Sequence, residues 1–300
     1  ISKDMAGSFP MRRLLQGDVG SGKTVVAACA AVRAIESGFS VVFLAPTEIL
    51  AEQHYRVLSK WFEPLNIKVH LHTASKKTLN GSDSKQFDFK VVDEALPPVV
   101  VGTHALVEDK FSLEDIGLAI IDEQHKFGVE QRKKLVRKGS YPHVLVMTAT
   151  PIPRTLGLTV YGDLDCSVID ELPPGRGRIR TFVRTPDSLQ KVWEFIRQKI
   201  AEGRQAYIVY PRVDDQGGGN IKAVNQELDT VKSNLVPHKV GLIHGRLKPA
   251  EKEEAINGFL CGEIKVLLST SVIEVGVDIP NSTIMLIENA DRFGLAQLHQ

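Results

Sequence analysis

A glycine-rich turn at residues 17–24 constrains the fold of this chain more than any other stretch. Its residues are Gly17, Asp18, Val19, Gly20, Ser21, Gly22, Lys23 and Thr24. They fit the P-loop pattern of a glycine, four free positions, and Gly-Lys-Ser/Thr. A strand-like run precedes the turn and a helical pattern follows it, as in a P-loop. This context argues against a glycine-rich turn that has no phosphate-binding role. In a P-loop, backbone N–H groups and the lysine bind phosphates, while the Thr24 hydroxyl ligates Mg²⁺. The turn therefore predicts an α/β fold with a phosphate site at a strand end.

Apolar runs of strand length alternate with helical patterns along the chain, which is typical of parallel sheets with crossover helices. In the first half the predicted strands are 13–16, 40–44, 68–72, 99–102, 118–122 and 143–147, with helices starting at 23, at 48 and near 129. In the second half the predicted strands are 180–183, 205–209, 239–243, 265–269 and 283–287, with helices over 188–202, 223–235 and 249–260.

The two halves meet at residues 171–177, where two prolines and two glycines interrupt every periodic pattern. We therefore predict two domains, residues 1–172 and 173–300. The polar stretches at 75–88 and 214–220 are predicted to be surface loops.

Bulk composition excludes several classes of protein. The three cysteines form no CxxC pair, which argues against a disulfide framework or a zinc site. No apolar run approaches the roughly 20 residues of a membrane span, so we expect no membrane contact and a cytoplasmic location. The formal net charge of +1 provides no broad basic field, and any nucleic acid must be bound by local arrangements.

Two carboxylates end the apolar run that starts at residue 118. Asp122 and Glu123 follow the P-loop by roughly one hundred residues, where the partner strand of a P-loop is expected. We assign Asp122 to the Mg²⁺ shell and Glu123 to polarising the attacking water. Taken alone, an acidic pair after a strand is often only the start of a solvated loop.

Together with Gln124 and His125, this pair resembles the DExH box of superfamily 2 helicases. Further blocks resemble motifs of that superfamily and occur in its order: 45–48 (Ia), 101–104 (Ib), 148–150 (III), 241–246 (IV) and 269–278 (V). The resemblance implies two RecA-like parallel-sheet domains with a nucleotide cleft between them, and the use of ATP with Mg²⁺.

Within the superfamily the chain is most similar to the RecG family. The supporting stretches are 122–129, 161–165, 168–176 and 292–300. Lys126 departs from the arginine usual there and loses a bidentate fork. The motor of the transcription-repair coupling factor is the alternative, but it typically has glutamate at Gln124 and lacks the stretch 172–175.

The resemblance also implies roles for single residues. Coupling between the ATP site and the rest of the motor is expected from Gln124, His125, Thr148, Thr150, Glu274, Gly276 and Asp278. Contacts to the DNA backbone are expected from Pro46, Thr47, Gly102, Thr103 and Thr270. Ordinary structural roles are equally compatible with His104 and His244, and the basic cluster at 133–138 is expected to be a solvated helix face.

The function implied by this family is an ATP-dependent helicase or translocase that moves on branched DNA, in fork reversal, Holliday-junction processing and recombinational repair. Branched or forked duplex and single strands are the expected partners, with single-strand-binding protein a further one by family resemblance. Gln300 matches the first residue of motif VI, so we expect a second domain incomplete at its C-terminus and feeble hydrolysis by residues 1–300 alone. A binding switch without productive hydrolysis is the alternative, although the intact Lys23, Asp122 and Glu123 favour the enzyme.

Overall fold

The computed structural model divides into two compact units, Ile1–Gly177 and Arg178–Gln300. It describes residues 1–74, 87–89, 96–108, 111–123, 141–149, 164–171, 179–211, 220–244, 247–269, 279, 281–294 and 297–298. Residues 172 and 173 lie outside these ranges, and the domain boundary stays a prediction.

The first unit is built on a sheet of seven strands. They are β1 Arg12–Gly17, β2 Ser40–Leu44, β3 Val69–His72, β5 Val99–Gly102, β7 Ile116–Asp122, β8 His143–Thr148 and β9 Asp165–Ile169. All pairings are parallel, in the order β3-β5-β2-β7-β8-β1-β9. Two further strands, β4 Phe87–Phe89 and β6 Phe111–Leu113, form a separate parallel pair. Because parallel strands end at one edge, the C-terminal ends of β7, β8 and β1 lie side by side.

Three α-helices of the first unit are described: α1 Ser2–Met5, α2 Lys23–Glu36 and α3 Glu48–Phe62. Short 3₁₀ helices follow at Glu63–Leu65 and His104–Val107. The sheet is buried on both faces, as parallel sheets usually are. Phe43 and Ile120 pack with α2 and α3 on one face, while Val42 and Ile121 pack on the other.

The second unit has a smaller parallel sheet. Its strands are β10 Gln205–Val209, β11 Val240–Ile243, β12 Val266–Ser269 and β13 Ser282–Ile287, in the order β11-β12-β10-β13. Its helices are α4 Leu189–Ala201, α5 Asn220–Asn234 and α6 Pro249–Leu260, with 3₁₀ helices at Pro186–Ser188 and Ala290–Arg292. Trp193, Ile196 and Val231 cover the buried strands.

The prediction of two parallel-sheet α/β domains is confirmed, and the predicted strands agree with the observed ones at most positions. The strand predicted at 180–183 is wrong: residues 179–185 form no strand. Phe182 and Val183 there are 64% and 91% exposed. Without a neighbouring strand to pair with, these apolar residues are not stabilised in a sheet. Conversely, β4, β6 and β9 were not predicted. The helix predicted near 129 lies outside the described residues, as do residues 75–86 and 214–219 of the loops predicted at 75–88 and 214–220. The far ends of those loop predictions are wrong, because residues 87–88 belong to β4 and residue 220 begins α5.

Within the described ranges, no helix combines the length and the apolar character needed to cross a bilayer.

Candidate phosphate-binding site

The glycine-rich turn lies between β1 and α2, as the P-loop pattern predicts. Gly20 and Gly22 have φ angles of 78° and 94°, which side chains with a Cβ rarely adopt. Gly22 is the N-cap of α2, so the helix begins at Lys23. The Lys23 Nζ donates hydrogen bonds of 2.8 Å to the carbonyl oxygens of Gly17 and Asp18. The turn thus folds around the lysine ammonium at the positive end of α2.

The acidic pair stands at the same edge of the sheet. Asp122 is the last residue of β7 and is only 8% exposed, and Glu123 follows it. Since β8 alone separates β7 from β1, the backbones of the pair and of the turn are roughly 10 Å apart. The negative charges of Asp122 and Glu123 both favour the protonated, charged form of Lys23. The structure therefore brings together the residues predicted to bind phosphate, Mg²⁺ and water.

Glu123 is held in an unusual conformation. Its φ of 48° lies in the left-handed region, which costs a non-glycine residue about 1–3 kcal/mol and is common at functional sites. Its N–H donates to the Met147 carbonyl at 3.0 Å, and its carboxylate accepts from the Ala149 N–H at 3.2 Å and the Thr148 hydroxyl at 3.4 Å. β8 thus fixes the direction of this carboxylate.

Burial shifts the pKa of two groups in this site. Burial first, and then the charge of Asp122, raises the pKa of Glu123, against hydrogen bonding by Ala149 and the charge of Lys23. Burial likewise lowers the pKa of Lys23, against the charges of Asp122, Glu123 and Asp18. A carboxylate with a raised pKa is a better proton acceptor near neutral pH than an ordinary glutamate.

The polar groups of the turn and the acidic pair fit a nucleoside triphosphate with Mg²⁺. The buried Ser21 Oγ in the turn has no hydrogen-bond partner among the described residues, and a phosphate oxygen would supply one. The described residues contain no group of three or more His, Cys, Asp or Glu side chains arranged to hold a metal. Mg²⁺ needs no such cage, because it is usually bound by one or two protein groups together with phosphates. Thr24 and Asp122 are the groups that would hold it.

One residue of the site was not predicted. The Nε2 of His54, in α3, lies 2.8 Å from the Asp122 Oδ2, and both residues are 8% exposed. The sequence does carry a signal for it, because His54 falls on the helical stripe of Ala51, Leu58 and Phe62 that is buried. A polar residue on such a stripe needs a buried partner.

Four of the five residues predicted to contact DNA lie at or just after strand ends of the same sheet: Pro46 and Thr47 after β2, and Gly102 and Thr103 at the end of β5. Thr47 is the N-cap of α3, where its Oγ1 accepts from the Leu50 N–H at 3.4 Å. Thr103 is only 2% exposed, and its Oγ1 has no partner among the described residues. A Cβ on Gly102 would clash with the His72 carbonyl oxygen, so this glycine is required for close packing of the chain. Pro46 is half-buried, and Thr270 lies outside the described residues.

Among the residues predicted to couple the ATP site to the rest of the motor, Thr148 is described, and its hydroxyl donates a hydrogen bond to the Glu123 carboxylate. Gln124, His125, Thr150, Glu274, Gly276 and Asp278 lie outside the described residues, as does the basic cluster at 133–138. His104 is exposed and His244 is half-buried, which assigns no role to either.

Two family models match the chain in succession. The DEAD/DEAH box helicase model matches residues 5–158, and the helicase conserved C-terminal domain model matches residues 187–300. The chain belongs to the DEAD/DEAH box helicases.

Within that class the predicted resemblance to RecG is confirmed by curated relatives. ATP-dependent DNA helicase RecG of Synechocystis sp. is 50% identical over 100% of this chain and 36% of its own length. RecG of Escherichia coli O157:H7 is 48% identical over 100% of this chain and 43% of its own length. RecG of Thermotoga maritima is 46% identical, with 100% and 38% covered. The chain thus spans about two fifths of the length of these relatives.

Solved helicase structures also match this chain. The structure of RecG bound to a three-way DNA junction matches with a TM-score of 0.76 and 42% identity, over 99% of this chain and 38% of that chain. Dbp5 of S. cerevisiae bound to RNA and ADP BeF3 matches with a TM-score of 0.63 over 91% of this chain and 69% of that chain. At 18% identity the second match shows the RecA-like helicase fold alone.

Proposed function

We propose that this chain is the ATP-driven motor of a RecG-type DNA helicase that acts on branched DNA. The observation that carries the proposal is the meeting of Lys23, Asp122 and Glu123 at one edge of the first sheet, in a chain 46–50% identical to RecG relatives. Because the chain covers about two fifths of those relatives, the proposal concerns the intact protein.

ATP is the proposed substrate, and each group of the site has a task in its hydrolysis. The N–H groups of the turn bind phosphate oxygens, and Lys23 exchanges its bonds to the Gly17 and Asp18 carbonyls for bonds to the outer phosphates. Glu123 accepts a hydrogen bond from the attacking water and orients it. Thr24 and Asp122 would hold Mg²⁺, which would neutralise charge on the phosphates.

DNA would be bound through its backbone. The first turn of α3, capped by Thr47, presents N–H groups that suit a phosphate, and such contacts do not read sequence. At Gly102 and Thr103, where the hydroxyl is buried, we propose contact through main-chain N–H groups. Local contacts of this kind suit a chain whose formal net charge is only +1.

Fork reversal, Holliday-junction processing and recombinational repair are the processes that we propose for the intact protein. They are implied by the resemblance to the RecG family, and the structure of a RecG bound to a three-way DNA junction supports an action on branched DNA. Association with single-strand-binding protein and a cytoplasmic location stay predictions.

The test is the ATPase rate of the intact protein without DNA, with linear duplex and with a three-way junction, together with unwinding of the junction. We expect the junction to stimulate ATP hydrolysis most and to be unwound only with ATP and Mg²⁺. An ATPase rate that no DNA changes would favour the alternative, a nucleotide-dependent binding switch.

A further inference from the structure

The buried face of α3 carries an ionisable residue. The structure describes the whole helix, and its buried positions are Ala51, His54, Leu58 and Phe62. Their spacing of three and four residues forms the stripe that packs on the sheet. His54 therefore occupies a core position, where an apolar residue would pack without a polar partner.

The partner of His54 is the carboxylate proposed for Mg²⁺. The Nε2 lies 2.8 Å from the Asp122 Oδ2, and the ring packs on Phe43 with a centroid distance of 4.5 Å. An ionised Asp122 can only accept, so the Nε2 must carry the proton of this bond. The bond fixes one carboxylate oxygen and leaves the other to be directed towards the metal position.

The same helix reaches the proposed DNA contact. Thr47 caps the start of α3, and His54 follows seven residues later, which is about two turns or 10 Å along the axis. Because Thr47 and His54 belong to one helix, a rigid-body shift of α3 at its first turn would displace His54 as well.

We propose that His54 is a positioning residue that orients Asp122 for Mg²⁺ and transmits displacements of the first turn of α3 to that carboxylate. This rests on the proposed function, in which Asp122 holds Mg²⁺ and Thr47 approaches DNA. A plain packing role would instead require only that the ring fill its space beside Phe43.

The test uses three variants of the intact protein and a matched control. His54→Leu keeps the bulk and removes the donor. His54→Gln places an amide nitrogen near the position of Nε2, and His54→Asn is too short to do so. The control is His143→Gln, because His143 also makes a hydrogen bond through its ring, but at the opposite end of β8, where its Nδ1 accepts from the Met11 N–H at 2.8 Å.

Two readouts separate positioning from packing. The first is the affinity for N-methylanthraniloyl-ATP with Mg²⁺ and with EDTA, and the second is the ATPase rate against Mg²⁺ concentration with and without a three-way junction. We expect His54→Leu and His54→Asn to raise the half-maximal Mg²⁺ concentration about 10-fold to 100-fold, the usual effect of losing the partner of a metal ligand. Their affinity in EDTA should stay unchanged, and their stimulation by DNA should fall. His54→Gln and His143→Gln should behave as wild type.

The inference is overturned if His54→Asn needs no more Mg²⁺ than His54→Gln. That comparison decides the matter even if His54→Leu fails to fold. Equal losses of affinity with and without Mg²⁺ in all three His54 variants would also overturn it, because they would indicate packing alone. A wild-type protein whose ATPase ignores DNA would instead contradict the proposed function.

Discussion

Glu123 in the first unit and Glu288 in the second occupy similar places but have different neighbours. Each directly follows a strand of a parallel sheet, β7 or β13, and burial is the largest cause of a raised pKa in both. Glu123 stands beside the Lys23 ammonium and the N–H of Ala149. A neighbouring carboxylate raises the pKa of each, Asp122 for Glu123 and Glu227 for Glu288, but no cation or N–H donor is among the causes of the shift at Glu288. A raised carboxylate pKa at a strand end therefore does not by itself mark a catalytic site; the proposed one is distinguished by the Lys23 ammonium and the glycine-rich turn.

The largest expected effect separates these two carboxylates. Glu123→Gln should lower the DNA-stimulated ATPase rate about 10²-fold to 10⁴-fold, the usual contribution of a general base, and leave ATP binding intact. Glu288→Gln is the matched control in the second unit and should stay near the wild-type rate. Steady-state ATPase assays of both variants measure the difference, and similar rates in the two would remove the distinction drawn between the units.

The next effect concerns close packing in the two sheets. Gly102→Ala places a Cβ against the His72 carbonyl, which belongs to the backbone and cannot rotate away. We expect the free energy of unfolding to fall by about 1–3 kcal/mol, as for other overpacked cores. Gly241→Ala in β11 meets the Cδ1 of Ile264 at 3.0 Å, and this side-chain end can adjust, so the loss should be smaller. Denaturant unfolding compares the two, and a larger loss for Gly241→Ala would contradict the packing described.

A helix cap gives a smaller effect. Thr47→Ala removes the hydroxyl that accepts from the Leu50 N–H, and should cost about 1 kcal/mol of stability. Thr47→Ser retains the acceptor and serves as the control. In the second unit, Glu251→Ala removes an exposed cap at the start of α6, where its Oε2 accepts from the Lys248 N–H at 2.9 Å, and should cost less. Thermal melts rank the three, and equal melting temperatures for Thr47→Ala and Thr47→Ser would argue against the cap.

The smallest effect depends on pH. Burial and the charge of Glu227 raise the pKa of folded Glu288, so the folded state favours the protonated form. The stability from Glu288 is complete below its unfolded pKa and is lost as pH rises through the folded pKa. At pH 7 Glu288→Gln should therefore be slightly more stable than wild type, by less than about 1 kcal/mol because the group is half-exposed. At pH 4 the gain should vanish; a gain that grows on acidification would have the wrong sign.

Sequence patterns predicted most of the fold because buried strands and amphipathic helices have strong periodicity. β2 and β5 agree with their predicted bounds, as does α6. The strand at 180–183 was predicted wrongly because the apolar residues of a short segment do not show whether a partner strand exists. β9 was not predicted because Asp165 and Ser167 break its apolar pattern, and pairing with β1 decides its structure.

The residues of the candidate site that belong to local sequence motifs were predicted, and those brought in by tertiary packing were not. The turn around Lys23 and the pair Asp122–Glu123 are each contiguous in sequence, so each could be recognised as a local motif. His54 lies 68 residues from Asp122, and only the packing of α3 on the sheet brings the two together. The burial of Thr103 is likewise a tertiary fact that its motif does not contain.

In the proposed function, the turn around Lys23 binds the phosphates of ATP. The most direct measurement is the dissociation constant of N-methylanthraniloyl-ATP for wild type and Lys23→Ala. Loss of a charged hydrogen-bond donor should weaken binding about 10-fold to 100-fold, with the melting temperature nearly unchanged. An unchanged affinity in Lys23→Ala would contradict the account.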